Sequence, residues 1–227
     1  MSLSLQATDV SRTIGDFFAD GGILMWPILG CSVVVVGLAV DRYLSLRRAR
    51  VLPQVVLDAV EQIVGGRVEV IQDGIAAADA PAARVLAAGL RRRGHLLADV
   101  EKAMEDRLQQ EAARLRANVR GITLIAAVAP LLGLLGTVLG IADAFAAVEQ
   151  SGLGRGDNSE ALAAGIKVAL YTTIFGLFVA IPATLVAAHL HARARRLAAL
   201  VAHELEPAVA ALAARPPGGT PEAVHAA

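Results

Sequence analysis

The sequence predicts an all-α integral membrane protein with three transmembrane helices and long helices extending into the cytoplasm. Composition is the first observation behind this. Hydrophobic residues make up 56% of the 227 residues and the mean hydropathy is +0.57, more apolar than a water-soluble domain of this length needs. Charge-free runs are the second: Gly21 to Val40, Ile122 to Ala142 and Val168 to Ala188 each lie between charged or ionisable neighbours. A hydrocarbon layer about 30 Å thick needs roughly 20 such residues at about 1.5 Å rise each. The third is the placement of arginine, which gathers beside each run on one side only.

Orientation follows from those arginines. Arg42, Arg47, Arg48 and Arg50 follow the first run, Arg114, Arg116 and Arg120 precede the second, and Arg193, Arg195 and Arg196 follow the third. The opposite side holds Asp9, Asp16 and Asp20 against Arg12, then Glu149, Asp157 and Glu160 against Arg155. Positive residues stay inside, so the amino end is expected outside and the carboxyl end in the cytoplasm. An acidic leader also argues against a cleaved signal peptide, which wants a basic one.

The expected divisions are a periplasmic amino-terminal segment over 1–20, transmembrane helix over 21–41, and a helical cytoplasmic region over 42–120. A second span over 121–147, a periplasmic loop over 148–165 and a third span over 166–189 follow. A cytoplasmic helix over 190–214 and a disordered tail over 215–227, rich in Pro and Gly, complete the chain. Within the cytoplasmic region Leu52 to Val64 reads as helix and Gly65-Gly66 as a turn. From Leu96 to Arg120 an apolar stripe of Val100, Met104, Leu108 and Ala112 lies opposite Glu101, Lys102, Glu105, Asp106 and Arg107, and nothing breaks the helix before the second span. After the third span Pro207 can kink or stop the helix.

Several functions find no support. Net charge is +0, which offers nothing to nucleic acid. A single cysteine, Cys31, inside an apolar run reads as a small buried residue and excludes an intramolecular disulfide. His189 and His191 are two apart and point to different helix faces, while His95, His203 and His225 are scattered, so no metal or other cofactor is expected. No phosphate loop, nucleophile elbow or dinucleotide fingerprint occurs, and an enzyme is not expected.

In lipid, helices associate through close packing, so stripes of small residues mark the faces that meet other helices. One stripe runs through Ala126, Ala129, Pro130, Gly133, Gly136, Thr137 and Gly140, another through Gly165, Ala169, Thr172, Thr173, Gly176, Ala180 and Ala183. Leu131, Leu134, Leu135, Ile174, Phe175 and Phe178 mostly fill the remaining circumference. Two readings stand for Thr137, Thr172 and Thr173: hydroxyls bonded to carbonyls one turn back, or hydroxyls facing a polar pathway. No Asp, Glu, Lys, Arg or His lies mid-span, so any proton relay needs an acid from another chain. Asp143 reads as an interfacial carboxylate or, less simply, a pore-mouth residue.

The stretch Ala129-Pro130-Leu131-Leu132-Gly133-Leu134-Leu135-Gly136-Thr137-Val138-Leu139-Gly140-Ile141, with Ala144-Phe145 after it, closely resembles the second-span signature of the ExbB/TolQ/MotA proton-channel family, with most similarity to ExbB and TolQ. Gly165-Ile166-Lys167-Val168-Ala169-Leu170-Tyr171-Thr172-Thr173-Ile174-Phe175-Gly176-Leu177, then Ala180-Ile181-Pro182-Ala183, resembles the third-span signature. Met25-Trp26-Pro27 and Asp41-Arg42 extend the likeness through the first span.

That resemblance implies a homopentameric ring in the bacterial inner membrane whose second and third spans line a pore. It implies a single-span partner like ExbD or TolR, whose aspartate cycles protons there under the proton-motive force, and work passed to a TonB- or TolA-like protein at the envelope. Thr137 and Thr173 match the family's pore threonines and Thr172 the neighbouring position. Pro130, Gly133, Gly136, Gly140, Ala169, Gly176, Ala180 and Pro182 fall in pore and helix-packing positions. Many ExbB and TolQ proteins have a glutamate where this chain has Val168, a departure that bears on the proton's route. The alternatives are a static membrane scaffold or assembly factor, and a solute permease, for which no inverted repeat or intramembrane charge is found.

Overall fold

Every element in the structure, a computed structural model describing residues 22–68, 72–117, 119–151 and 158–213, is an α-helix. They are α1 (Met25–Ser45), α2 (Arg48–Val51), α3 (Gln54–Val64), α4 (Gln72–Ala77), α5 (Pro81–Leu90), α6 (Leu97–Ala117), α7 (Arg120–Ser151) and α8 (Asn158–Leu212). The expectations for segment 1–20, for the middle of the 148–165 loop and for the tail 215–227 lie outside the described residues. The chain divides into two units, residues 1–41 with 120–188 and residues 42–119 with 189–227.

The first unit holds the charge-free runs. Met25–Ser45, Leu97–Glu149 and Leu162–Leu212 are three stretches long and apolar enough to cross a membrane, each containing most of one run. Large apolar side chains, among them Val33, Leu131, Leu134, Ile174, Phe178 and Leu185, lie exposed along these helices. Hydrocarbon tails are as apolar as leucine, so such side chains need no protein cover in lipid. Pro27 stands third in α1, in the turn whose N–H groups lack helical partners anyway. The small buried cluster joins all three helices: Ile28 from α1, Ala129 from α7, and Val179 and Ala180 from α8, with Cys31, Leu132 and Phe175 packed around it. The contact pattern runs up, down and up. A Cβ at Gly22 would touch Val168, whereas one at Gly121 would meet Leu38 at 3.1 Å.

The helices Leu97–Ala117 and Arg120–Ser151 follow each other directly, and the expected continuity between them passes through residue 118, which lies outside the described residues. Val119 between them is buried and donates its N–H to Arg116 O at 3.0 Å, a tighter i to i−3 bond than the α-helix uses. Pro207 does not stop α8, and the helix expected over 190–214 runs on to Leu212. A proline there removes one donor near a terminus, a loss the buried Leu205, Ala208 and Leu212 side chains offset.

In the second unit α3, α5 and α6 each bury one face. In α3 the buried residues Val56, Ala59, Val60 and Ile63 recur at helical spacing, and the predicted turn follows, with Gly66 at φ +80°. Pro81 opens α5, where its missing N–H has no helical partner to lose. Of the predicted α6 stripe, Val100, Met104 and Ala112 are buried and Leu108 is half-buried. Gly94, also at φ +80°, donates its N–H to Leu212 O at 3.0 Å and so ties the α5–α6 turn to the end of α8. Arg193 on α8 donates Nε to Leu46 O at 2.9 Å and lies 4.7 Å over the Tyr43 ring.

Sequence reasoning missed Glu111, whose side chain is only 2% exposed on α6. Its carboxylate accepts from Arg84 at 2.8 Å, Arg107 at 2.9 Å and Arg114 at 3.1 Å. Burial alone pushes this carboxyl upward, yet the Arg84 hydrogen bond and the charges of Arg84, Arg107 and Arg114 outweigh it and hold it below the ordinary 4.5. Because the same carboxyl raises Arg84 further, the cluster is ionised at neutral pH.

Candidate functional site

Where α7 meets α8 the small-residue stripes face each other and the two backbones touch. A Cβ added at Gly133 would fall 2.9 Å from Thr172 O, one at Gly140 3.0 Å from Gly165 O, and one at Gly176 2.7 Å from Ala129 O. Below 3.0 Å real Cβ atoms are essentially never found, so Gly133 and Gly176 admit no side chain at this separation, and Gly140 sits at the tight limit. At Gly136 an added Cβ would overlap the Thr172 side chain, and at Gly165 the Ala144 methyl. Partners on α8 fall in number as those on α7 rise, the register of an antiparallel pair. Ala169 and Ala180 are buried in the same seam, Pro130 is half-buried, and Pro182 lies exposed on α8.

The seam separates the three threonines. Thr172 is 1% exposed, lies against Gly136, and its hydroxyl donates within α8 to Val168 O at 3.1 Å and Ala169 O at 3.0 Å. This is the first of the two readings for its hydroxyl, and the missing side chain of Gly136 leaves room for Thr172 in the helix contact. Thr173 is half-buried, and its hydroxyl crosses the seam to Gly133 O at 3.3 Å. Thr137 is also half-buried and donates to Leu134 O at 2.6 Å in its own helix. Each hydroxyl oxygen keeps lone pairs able to accept from water or from a protonated acid, and each can rotate its proton toward a carboxylate. Exposed Leu134, Ile141, Leu170 and Leu177 flank the pair at helical spacing.

Lys167, at the start of the third run, stands 5.6 Å over the Tyr171 ring, a contact the i, i+4 spacing allows. Val168 is half-buried, facing Gly22. Among the described residues no group of three or more His, Cys, Asp or Glu is arranged to hold a metal.

A family model described as the MotA/TolQ/ExbB proton channel family matches residues 77–203, the stretch that contains α7 and the part of α8 that forms the seam. This chain belongs to that family. It is 35% identical over 176 residues to a biopolymer transport protein, ExbB-like 1, of Synechocystis sp., covering 75% of this chain and 68% of that one. With an ExbB homolog of Methanothermobacter thermautotrophicus it shares 32% identity over 172 residues, 74% of this chain and 60% of the relative. The biopolymer transport protein exbB1 of Vibrio cholerae is 41% identical over 98 residues, 43% of this chain and 42% of its own length. Like other MotA/TolQ/ExbB proteins it is a membrane protein, all-helical over the described residues, with three candidate spans.

Proposed function

We propose that this chain is the channel subunit of an inner-membrane energy-transducing complex, in which copies of α7 and α8 form a ring around an acid carried by a single-span, ExbD- or TolR-like partner. The observation that carries the reading is the pair Thr137 and Thr173, two half-exposed hydroxyls on adjoining helices locked together by glycine, in a seam without titratable groups. Family membership and the biopolymer-transport relatives support it. The amino end is proposed to be periplasmic and the carboxyl end cytoplasmic, on the strength of the arginine clusters.

The physical step is desolvation. A carboxylate between apolar walls is costly, so the partner's acid crosses leucine-lined sectors only when protonated and rests, when charged, where hydroxyls or water reach it. Thr137 and Thr173 supply that resting place. Successive protonation and release under the proton-motive force then moves partner and ring relative to each other, and the motion drives work at the envelope. With Val168 where many relatives have glutamate, the proton enters and leaves through water and the partner's acid. No bond in a substrate is made or broken.

The test is proton-driven transduction with Thr137→Val and Thr173→Val, which keep shape and remove the hydroxyl. Both variants should assemble normally and lose transduction, while Thr172→Val should keep it. Full activity in both would end the proposal. A static scaffold is the second reading, favoured by the fact that each of the three hydroxyls already has a carbonyl partner; it expects all three variants to work and no proton flux.

A further inference from the structure

Two surfaces of the second unit are exposed, partly apolar and opposite in charge. The α5–α6 turn presents Arg91, Arg92 and Arg93, all exposed, followed by Leu96 and Leu97 at 73% and 50% exposure. Arg91 donates Nε to Ala87 O, and among the described residues Arg92 and Arg93 make no ion pair. Elsewhere on the same unit a groove of about 440 Å³ is lined by Leu57, Val60, Val64 and Pro207 together with Glu61 and Glu204. Val64 is 56% exposed and Glu61 is exposed without an ion pair among the described residues, whereas Glu204 pairs with Arg48 at 3.5 Å.

Both surfaces are fixed to the same helix. The turn is tied to Leu212 by the Gly94 N–H, and the groove includes Glu204 and Pro207 of the same helix, about 8 to 12 Å away at a helical rise of about 1.5 Å.

We infer that the Arg91–Leu97 turn of one copy docks into the Leu57–Val64–Pro207 groove of the next, forming the cytoplasmic contact of the ring. Arginines 92 and 93 face the neighbour's Glu61, and Leu96 enters beside its Val64. A contact between unlike surfaces on one subunit is heterologous, and repeated head to tail it forms a ring when the rotation closes. The inference rests on the ring of the proposed function.

Two differently tagged chains, one Val64→Cys and one Leu96→Cys, both with Cys31→Ser, are co-expressed and treated in membranes with a short bis-maleimide. A cross-linked dimer carrying both tags is expected, absent when either chain is expressed alone. Adding Glu61→Arg should lose the product, and combining it with Arg92→Glu and Arg93→Glu on the other chain should restore it. Native mass spectrometry of the untreated complex separates the two ways of failing. An oligomer without the mixed product overturns this contact and leaves the channel reading standing, whereas a monomer overturns both.

Discussion

Between the second and third spans backbone meets backbone, with a Cβ at Gly176 falling 2.7 Å from a carbonyl oxygen, whereas Gly89 in the other unit faces the side chains of Met104 and Leu212. The first unit buries no ionisable side chain among its described residues, while the second buries Glu111 among three arginines. Water accounts for the difference. Where solvent is lipid, covering a leucine gains little, so helices adhere by close approach, and glycine permits it. Where solvent is water, covering leucine and valine drives packing, and side chains interdigitate with room for a charged cluster.

The largest effect that would sharpen this contrast comes from a single methyl group placed in each region. Gly176→Ala should destabilise the protein by about 2 to 3 kcal/mol, the upper end for overpacking, because the obstructing atom is a backbone carbonyl. Gly89→Ala should stay within about 1 kcal/mol of wild type, since the flexible Met104 side chain can move aside. Both changes gain similar helix propensity, about 1 kcal/mol, so the difference in unfolding in detergent reads the packing. Equal losses would break the comparison.

Next is Glu111→Ala, expected to cost about 2 kcal/mol, below the value for wholly buried pairs because the arginines it leaves behind reach solvent. Its depressed carboxyl also fixes a pH signature. Stability from this cluster is fully present above the ordinary glutamate value of 4.5 and is lost as pH falls through the lower folded value. Thermal melts from neutral to acid pH should show that loss in wild type and a flatter profile in Glu111→Ala.

Arg193→Ala removes the bond to Leu46 O and the Tyr43 contact, for about 1 to 2 kcal/mol, and Arg193→Lys should recover only part of it. Smallest is Thr173→Val, about 0.6 kcal/mol for one hydrogen bond between bilayer helices, set against its expected loss of transduction. A large stability loss there would mean that the hydroxyl serves packing instead.

The spans were legible because a charge inside hydrocarbon is costly, so three charge-free runs and their arginine borders stand out in one dimension. The Gly133, Gly136 and Gly140 stripe was legible for a related reason, since small residues at spacings of three and four share a helix face. The outcome at Pro207 was not. Whether a proline stops a helix near its end depends on what the flanking side chains bury, and Pro207 is carried through. Glu111 gave no sign either, because a glutamate three residues from Leu108 on an amphipathic helix looks the same whether water or arginine surrounds it.

Sequence alone determined the class of the protein, the number of apolar runs and the residues small enough to let helices touch, since these follow from solvent cost and side-chain size position by position. Tertiary structure decided which faces those residues serve. Thr172 and Thr173 are adjacent and chemically identical, and only the approach of Gly133 and Gly136 sends one hydroxyl back into its own helix and the other across the seam. That difference depends on the rotation of one helix against another, which no spacing within either helix encodes.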